Sequence, residues 1–158
     1  MNKTYKNRKD LGLCIYCGKE ATPGTSVCQE CSLKFAKRDF EDKVKVLTAL
    51  CGGNTPHCQC DCGCKESNIF CLNVDHKNGD GHLMPKGPRS KIYRHLRVHY
   101  IDKNLPLPDD LQVLCTSCNN SKYIFEKTKI FEKTGCPKKY TEEINQWIEE
   151  NVNNKRAS

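Results

Sequence analysis

Two CxxC pairs, Cys14 with Cys17 and Cys28 with Cys31, are separated by residues 18–27, and a third, Cys115 with Cys118, lies far downstream of the run HCQCDCGC at 57–64. Structural zinc takes four ligands in a tetrahedron, and thiolate pairs at this spacing commonly supply them. The first two pairs therefore make one complete set, Cys14, Cys17, Cys28 and Cys31, with Gly18, Pro23 and Gly24 providing the turns. Buried free thiols are the weaker alternative. The total of 13 cysteines is odd, so any disulfide scheme strands one of them, and MNKTYKNRKD has no apolar stretch of signal-peptide type. The expected setting is reducing cytosol, with thiolates on metal. No run of about 18 apolar residues occurs, so no membrane association is expected.

Cys115 and Cys118 need two further thiolates. Cys58, Cys60, Cys62 and Cys64 compete for these places with no CxxC spacing among them, and the turn residue Gly63 favours Cys60 with Cys64 or Cys62 with Cys64. The second zinc set is thus expected to be four of Cys60, Cys62, Cys64, Cys115 and Cys118. Such a zinc would clamp the strand ending at Asp75 and His76 against the helix beginning at Asn119. Cys51, Cys71 and Cys136 are expected to be free, Cys71 as a small buried hydrophobe in a strand.

Hydrophobic periodicity divides the chain into a ribbon over 1–35, an amphipathic connector helix over 36–50 (Ala36, Phe40, Val44, Leu47), a central module over 51–126 and a C-terminal extension over 127–158. The module is expected to hold a strand with Phe70, Leu72 and Val74 alternating and a second strand, LQVL. A short helix carrying Ile92, Leu96 and Tyr100 is expected between them. The extension is expected to hold a helix capped by Thr141, with Tyr140, Ile144, Trp147 and Ile148 forming its stripe. The fold class is small α+β.

The net charge of +7 is concentrated in two places. Residues 1–38 carry eight Lys or Arg against Asp10, Glu20 and Glu30, and residues 75–103 carry seven against Asp75, Asp80 and Asp102. Such clusters suit a polyanion, because each neutralised phosphate releases condensed counterions. Lys77, Arg89, Lys91, Arg94, Arg97 and Lys122 are the candidate phosphate contacts, with a solvated basic surface as the alternative.

The stretches LNVDHKNGDGH, DLQVLC and CTSCNNSK, within 58–126, resemble the HNH endonucleases, whose two strands and a helix surround one divalent metal in a ββα-metal (His-Me finger) module. The cysteine ribbon resembles those ahead of HNH modules in some phage-encoded proteins, which would place the protein in a host cytoplasm. The resemblance implies that Asp75 and Asn119 bind magnesium or manganese and that His76 is the general base. Products would be 5′-phosphate and 3′-hydroxyl ends, with nicking or double-strand cutting both open. Oxygen donors suit these hard ions while the thiolates select zinc, and a neutral imidazole can take a proton from water near neutral pH. Asp75 and His76 are neighbours on a strand, so they can serve one phosphate only if the strand ends there. The family's middle asparagine is replaced by Asp110, and its last position is Asn119, as in HNN-type relatives and phage junction resolvases of the endonuclease VII type. Asp110 and His82 are candidates for active-site support. The expected partner is duplex or branched DNA; RNA and dimerisation stay open. Rival expectations are a non-catalytic zinc-dependent nucleic-acid-binding protein and a protein-interaction module.

Overall fold

Leu11 and Gly12 end the first helix, α1 (Lys3–Asp10), and lead the chain into its first cysteine pair. This is a computed structural model that describes residues 3–77, 89–128 and 137–150. The expected segments resolve into two compact units, Met1–Lys43 and Val44–Ser158.

In the first unit, residues 11–28 form turns joined by one isolated bridge, Leu13 with Glu20. Gly18 adopts a φ of +79° and closes the turn by donating its N–H to the Cys14 carbonyl at 2.8 Å, a conformation that favours glycine. Helix α2 spans Gln29–Leu50, so the connector is longer than the 36–50 expected. Its first turn grows out of the cysteine loop: Ser32 N–H bonds the Cys28 carbonyl at 3.0 Å, and Glu30 complements the positive end of the helix.

The second unit is organised by two antiparallel strands, β1 (Leu72–His76) and β2 (Leu111–Cys115). Leu72 lies opposite Cys115, and His76 opposite Leu111. Phe70, expected in the strand, precedes it and is 75% exposed. Cys71 likewise lies before β1 and is only partly buried; its carbonyl accepts both the N–H (2.8 Å) and the hydroxyl (3.0 Å) of Thr116.

Between the strands, α3 (Arg89–His99) buries Tyr93 and Leu96, with Ile92 and Tyr100 packed beside them. Helix α4 (Thr116–Thr128) follows β2 with no intervening residue, starting three residues before the expected Asn119 and carrying the CxxC pair across the strand–helix junction. The apolar core comprises Val46, Leu47, Leu72, Tyr93, Leu96, Leu111, Val113 and Leu114, joined by Cys51, Cys58, Cys115 and Cys118. The last helix, α5 (Thr141–Ile148), begins at Thr141 itself. Tyr140 is the cap and makes no side-chain capping hydrogen bond, while the Thr141 hydroxyl donates backward to the Lys138 carbonyl at 2.9 Å. The result is a small α+β protein with a two-stranded sheet and several helices. Among the described residues no helix is long and apolar enough to cross a membrane.

Candidate metal centres and a histidine site

The sulfurs of Cys14, Cys17, Cys28 and Cys31 all lie within 4.8 Å of one another, with Cys17 and Cys28 at 3.5 Å. Zinc–sulfur bonds of about 2.3 Å arranged tetrahedrally put sulfurs about 3.8 Å apart, so the group matches a zinc cage. Its electrostatics point the same way. Burial opposes charge on Cys14, but hydrogen bonds from the backbones of Cys28, Cys17 and Tyr16 outweigh it and bring the thiol down to about 6. Burial and the neighbouring thiols push Cys31 up to about 12. Four sulfurs this close cannot all ionise without a cation among them. Arg8 of α1 donates to the carbonyls of Ile15 and Tyr16, both at 3.3 Å, and holds the loop.

The second centre differs from the expectation. Cys58, Cys64, Cys115 and Cys118 form the group of four, and Cys60 and Cys62 form a group of three with Cys118. Neither Cys60 with Cys64 nor Cys62 with Cys64 completes the four. The reason is how the segment meets β2. Gln59 N–H donates to the Val113 carbonyl and the Gln59 side-chain oxygen accepts the Val113 N–H, both at 2.8 Å, so the segment is stitched along the strand's free edge. That register brings Cys58 under Cys115, whose N–H points at the Cys58 sulfur at 3.2 Å. Gly63, at a φ of +77°, turns the chain so that Cys64 returns to within 3.7 Å of Cys115. Burial, then the Cys115 and Cys62 thiols, push Cys118 well above its ordinary value. Burial also opposes charge on Cys115, yet hydrogen bonds from Cys118, Cys64 and Cys58 bring it below its ordinary value. Both cysteine-rich groups could hold a metal such as zinc.

The far end of the same hairpin holds the histidine. β1 ends at His76, and Asp75 and His76 reach different partners. His76 Nδ1 lies 2.7 Å from Asp110 Oδ2, while Nε2 is buried without a partner among the described residues. An orphaned buried ring nitrogen costs about 1–3 kcal/mol unless water or a ligand completes it. The Asp110 backbone carbonyl also accepts the Lys77 N–H at 2.8 Å, tying the end of β1 to the residue just before β2.

Asp75 Oδ2 accepts from Gln112 at 3.0 Å and from Lys122 at 2.7 Å. Lys122 is a correction to the sequence reading: neither solvated nor free for phosphate, it is 4% exposed. Its ammonium also donates to the carbonyls of His76 and Lys77, so all three of its N–H groups are engaged. Asn119, one turn before Lys122 on α4, lines a cavity of about 90 Å³ with Asn73, Val74, Ile92 and Tyr93, and Asp75 is not among the lining residues.

Of the candidate phosphate contacts, Lys77, Lys91 and Arg94 are exposed. Lys91 and Arg94 flank an open groove of about 320 Å³ on α3 with His95, Val98 and His99. Arg97 is instead tied to Asp102 at 2.6 Å. His82, the 79–81 GDG and Cys136 lie outside the described residues, as does the side chain of Arg89, whose backbone opens α3.

Sequence reasoning had Cys58 among the competing cysteines but preferred its neighbours, and it missed the burial of Lys122. The alternating CxCxCxC pattern held a signal for the first, since an extended segment projects every second residue to one side. Comparison of the chain with protein-family models, curated proteins and solved structures finds no match.

Proposed function

We propose that the chain is a metal-dependent DNA endonuclease or nickase of HNH type that hydrolyses phosphodiester bonds with water activated by His76. The observation that carries this reading is the His76 environment. With Nδ1–H donated to Asp110, the Nε2 lone pair is the proton-accepting position, and the carboxylate stabilises the imidazolium that forms. Asp110 thereby acts as a positioning residue.

Asp75 and Asn119 would hold magnesium or manganese, which when bound stabilises charge on the phosphate and leaving oxygen. The donor set fits in kind: both offer hard oxygen, and Asn119 shares an α4 face with Lys122, which touches Asp75. Lys122 fixes the end of β1 through the carbonyls of His76 and Lys77, and so sets where the imidazole projects. Exposed Lys77, Lys91 and Arg94 would bind the DNA backbone by charge.

One observation favours the rival, a non-catalytic zinc-dependent nucleic-acid-binding protein: the Asp75 oxygen nearest α4 is already occupied by the Lys122 ammonium. The deciding experiment is conversion of supercoiled plasmid, and of a branched duplex, by zinc-loaded protein with magnesium or manganese. The nuclease reading expects nicked or linear product, its disappearance in His76→Ala at unchanged zinc content and fold, and a rate about 10²–10⁴-fold lower in Asp110→Asn. Binding of both DNAs with no product from wild type would establish the rival.

A further inference from the structure

Six cysteines meet at the strand–helix junction, two more than one tetrahedral ion can use. Cys118 belongs to both sulfur groups. It lies within 4.8 Å of Cys58, Cys64 and Cys115 on one side and of Cys60 and Cys62 on the other. The resolved contacts on the two sides are alike: Cys64 to Cys115 is 3.7 Å, and Cys62 to Cys118 is 3.7 Å. Each matches the sulfur–sulfur edge of a zinc tetrahedron, about 3.8 Å.

We infer that this junction is a two-zinc cluster, with one ion held by Cys58, Cys64, Cys115 and Cys118 and a second held by Cys60, Cys62 and a bridging Cys118. The inference is independent of the nuclease reading. A thiolate sulfur has more than one lone pair and can bind two ions. Six thiolates around two divalent ions carry the same net charge, −2, as four thiolates around one, so the second ion adds no charge to a partly buried site. With a single ion, Cys60 and Cys62 would stand at ligand separation from Cys118 with no ion among them.

The two ions are not equivalent. The first has four cysteines, three of them buried, two on the β2–α4 knuckle. The second has three, and its fourth position falls to water or to the Asp61 carboxylate, an oxygen of which lies 4.0 Å from the Cys60 sulfur. Cys60 and Cys62 are also only partly buried. A shared thiolate and an incomplete protein shell make the second ion the one a chelator removes first.

The test is metal stoichiometry of the full, reduced chain, reloaded with zinc and desalted, by elemental mass spectrometry. Counting the ribbon site, three zinc ions per chain are expected, falling to two in the Cys60→Ser/Cys62→Ser double variant. Two per chain in wild type, or an unchanged count in the variant, overturns the cluster. Cadmium-113 substitution of wild type gives a second readout that does not depend on the variant folding. Three resonances with two mutually split through the bridging sulfur support the cluster. Two resonances, or three with no splitting, overturn it.

Discussion

Around Cys14, Cys17, Cys28 and Cys31 no large apolar side chain is fully buried among the described residues, and Leu11, Tyr16 and Leu33 are each more than half exposed. Around Cys58, Cys64, Cys115 and Cys118 they lie inside, with Leu47, Leu72, Leu96 and Val113 almost fully buried in the same cluster as the sulfurs. In the first centre a metal would take the place of a core. In the second it would complete one, since three of the four cysteines there are core residues too. The same residue type thus does two structural jobs, and the neighbours decide which.

The largest effect that separates the two falls on the ribbon. Structural zinc contributes an apparent ~10–16 kcal/mol of binding free energy, more than turns over residues 11–28 can supply otherwise. Cys14→Ser is expected to collapse the amide NMR signals of 11–31 to unfolded positions while those of β1 and β2 keep their dispersion. Loss of β1 and β2 signals in the same variant would abolish the distinction.

Next comes Lys122→Met, which strands a mostly buried Asp75 carboxylate and two carbonyls. A cost of about 3–5 kcal/mol is expected in the urea transition of the second unit, much of it recovered when Asp75→Asn is added. Leu72→Ala should cost about 2–5 kcal/mol in that same transition, whereas Leu11→Ala should leave stability within about 0.5 kcal/mol.

The smallest effect concerns Lys19 and Glu30, an exposed pair in the first unit. The hydrogen bond from Lys19, and then its charge, hold Glu30 below the usual carboxylate range. Its stabilisation is therefore present above the ordinary carboxylate pKa and lost as pH falls through the lowered one. Lys19→Met is expected to leave the melting temperature unchanged within error at neutral pH and moderate salt.

How much of this could be read without coordinates depends on distance along the chain. The ribbon cysteines were legible because ligands and turns sit within one short segment, and the strand end at His76 was marked by the polar run that follows. The choice among Cys58, Cys60, Cys62 and Cys64 was not legible, because it is made by hydrogen bonds to Val113, more than 50 residues away. Lys122 was misread for the same reason: helical periodicity places it on a face but cannot show that three acceptors from residues 75–77 converge there. Asp110 was located by its position before LQVL, yet its role came from the ring nitrogen it meets.

The strands β1 and β2 are joined by residues 77–110, a long detour for a two-stranded sheet, and this has a consequence for the order of events as the chain folds. Pairing the strands unaided means closing that loop before any ladder hydrogen bond repays the entropy, the situation that slows folding. A zinc ion that captures Cys64 and Cys115 first places Leu72 close to its partner Cys115, and the remaining pairs can then close in sequence toward His76. The sulfur junction would then be a nucleus as well as a staple, and refolding of the second unit should accelerate with free zinc concentration until capture is no longer the slow step.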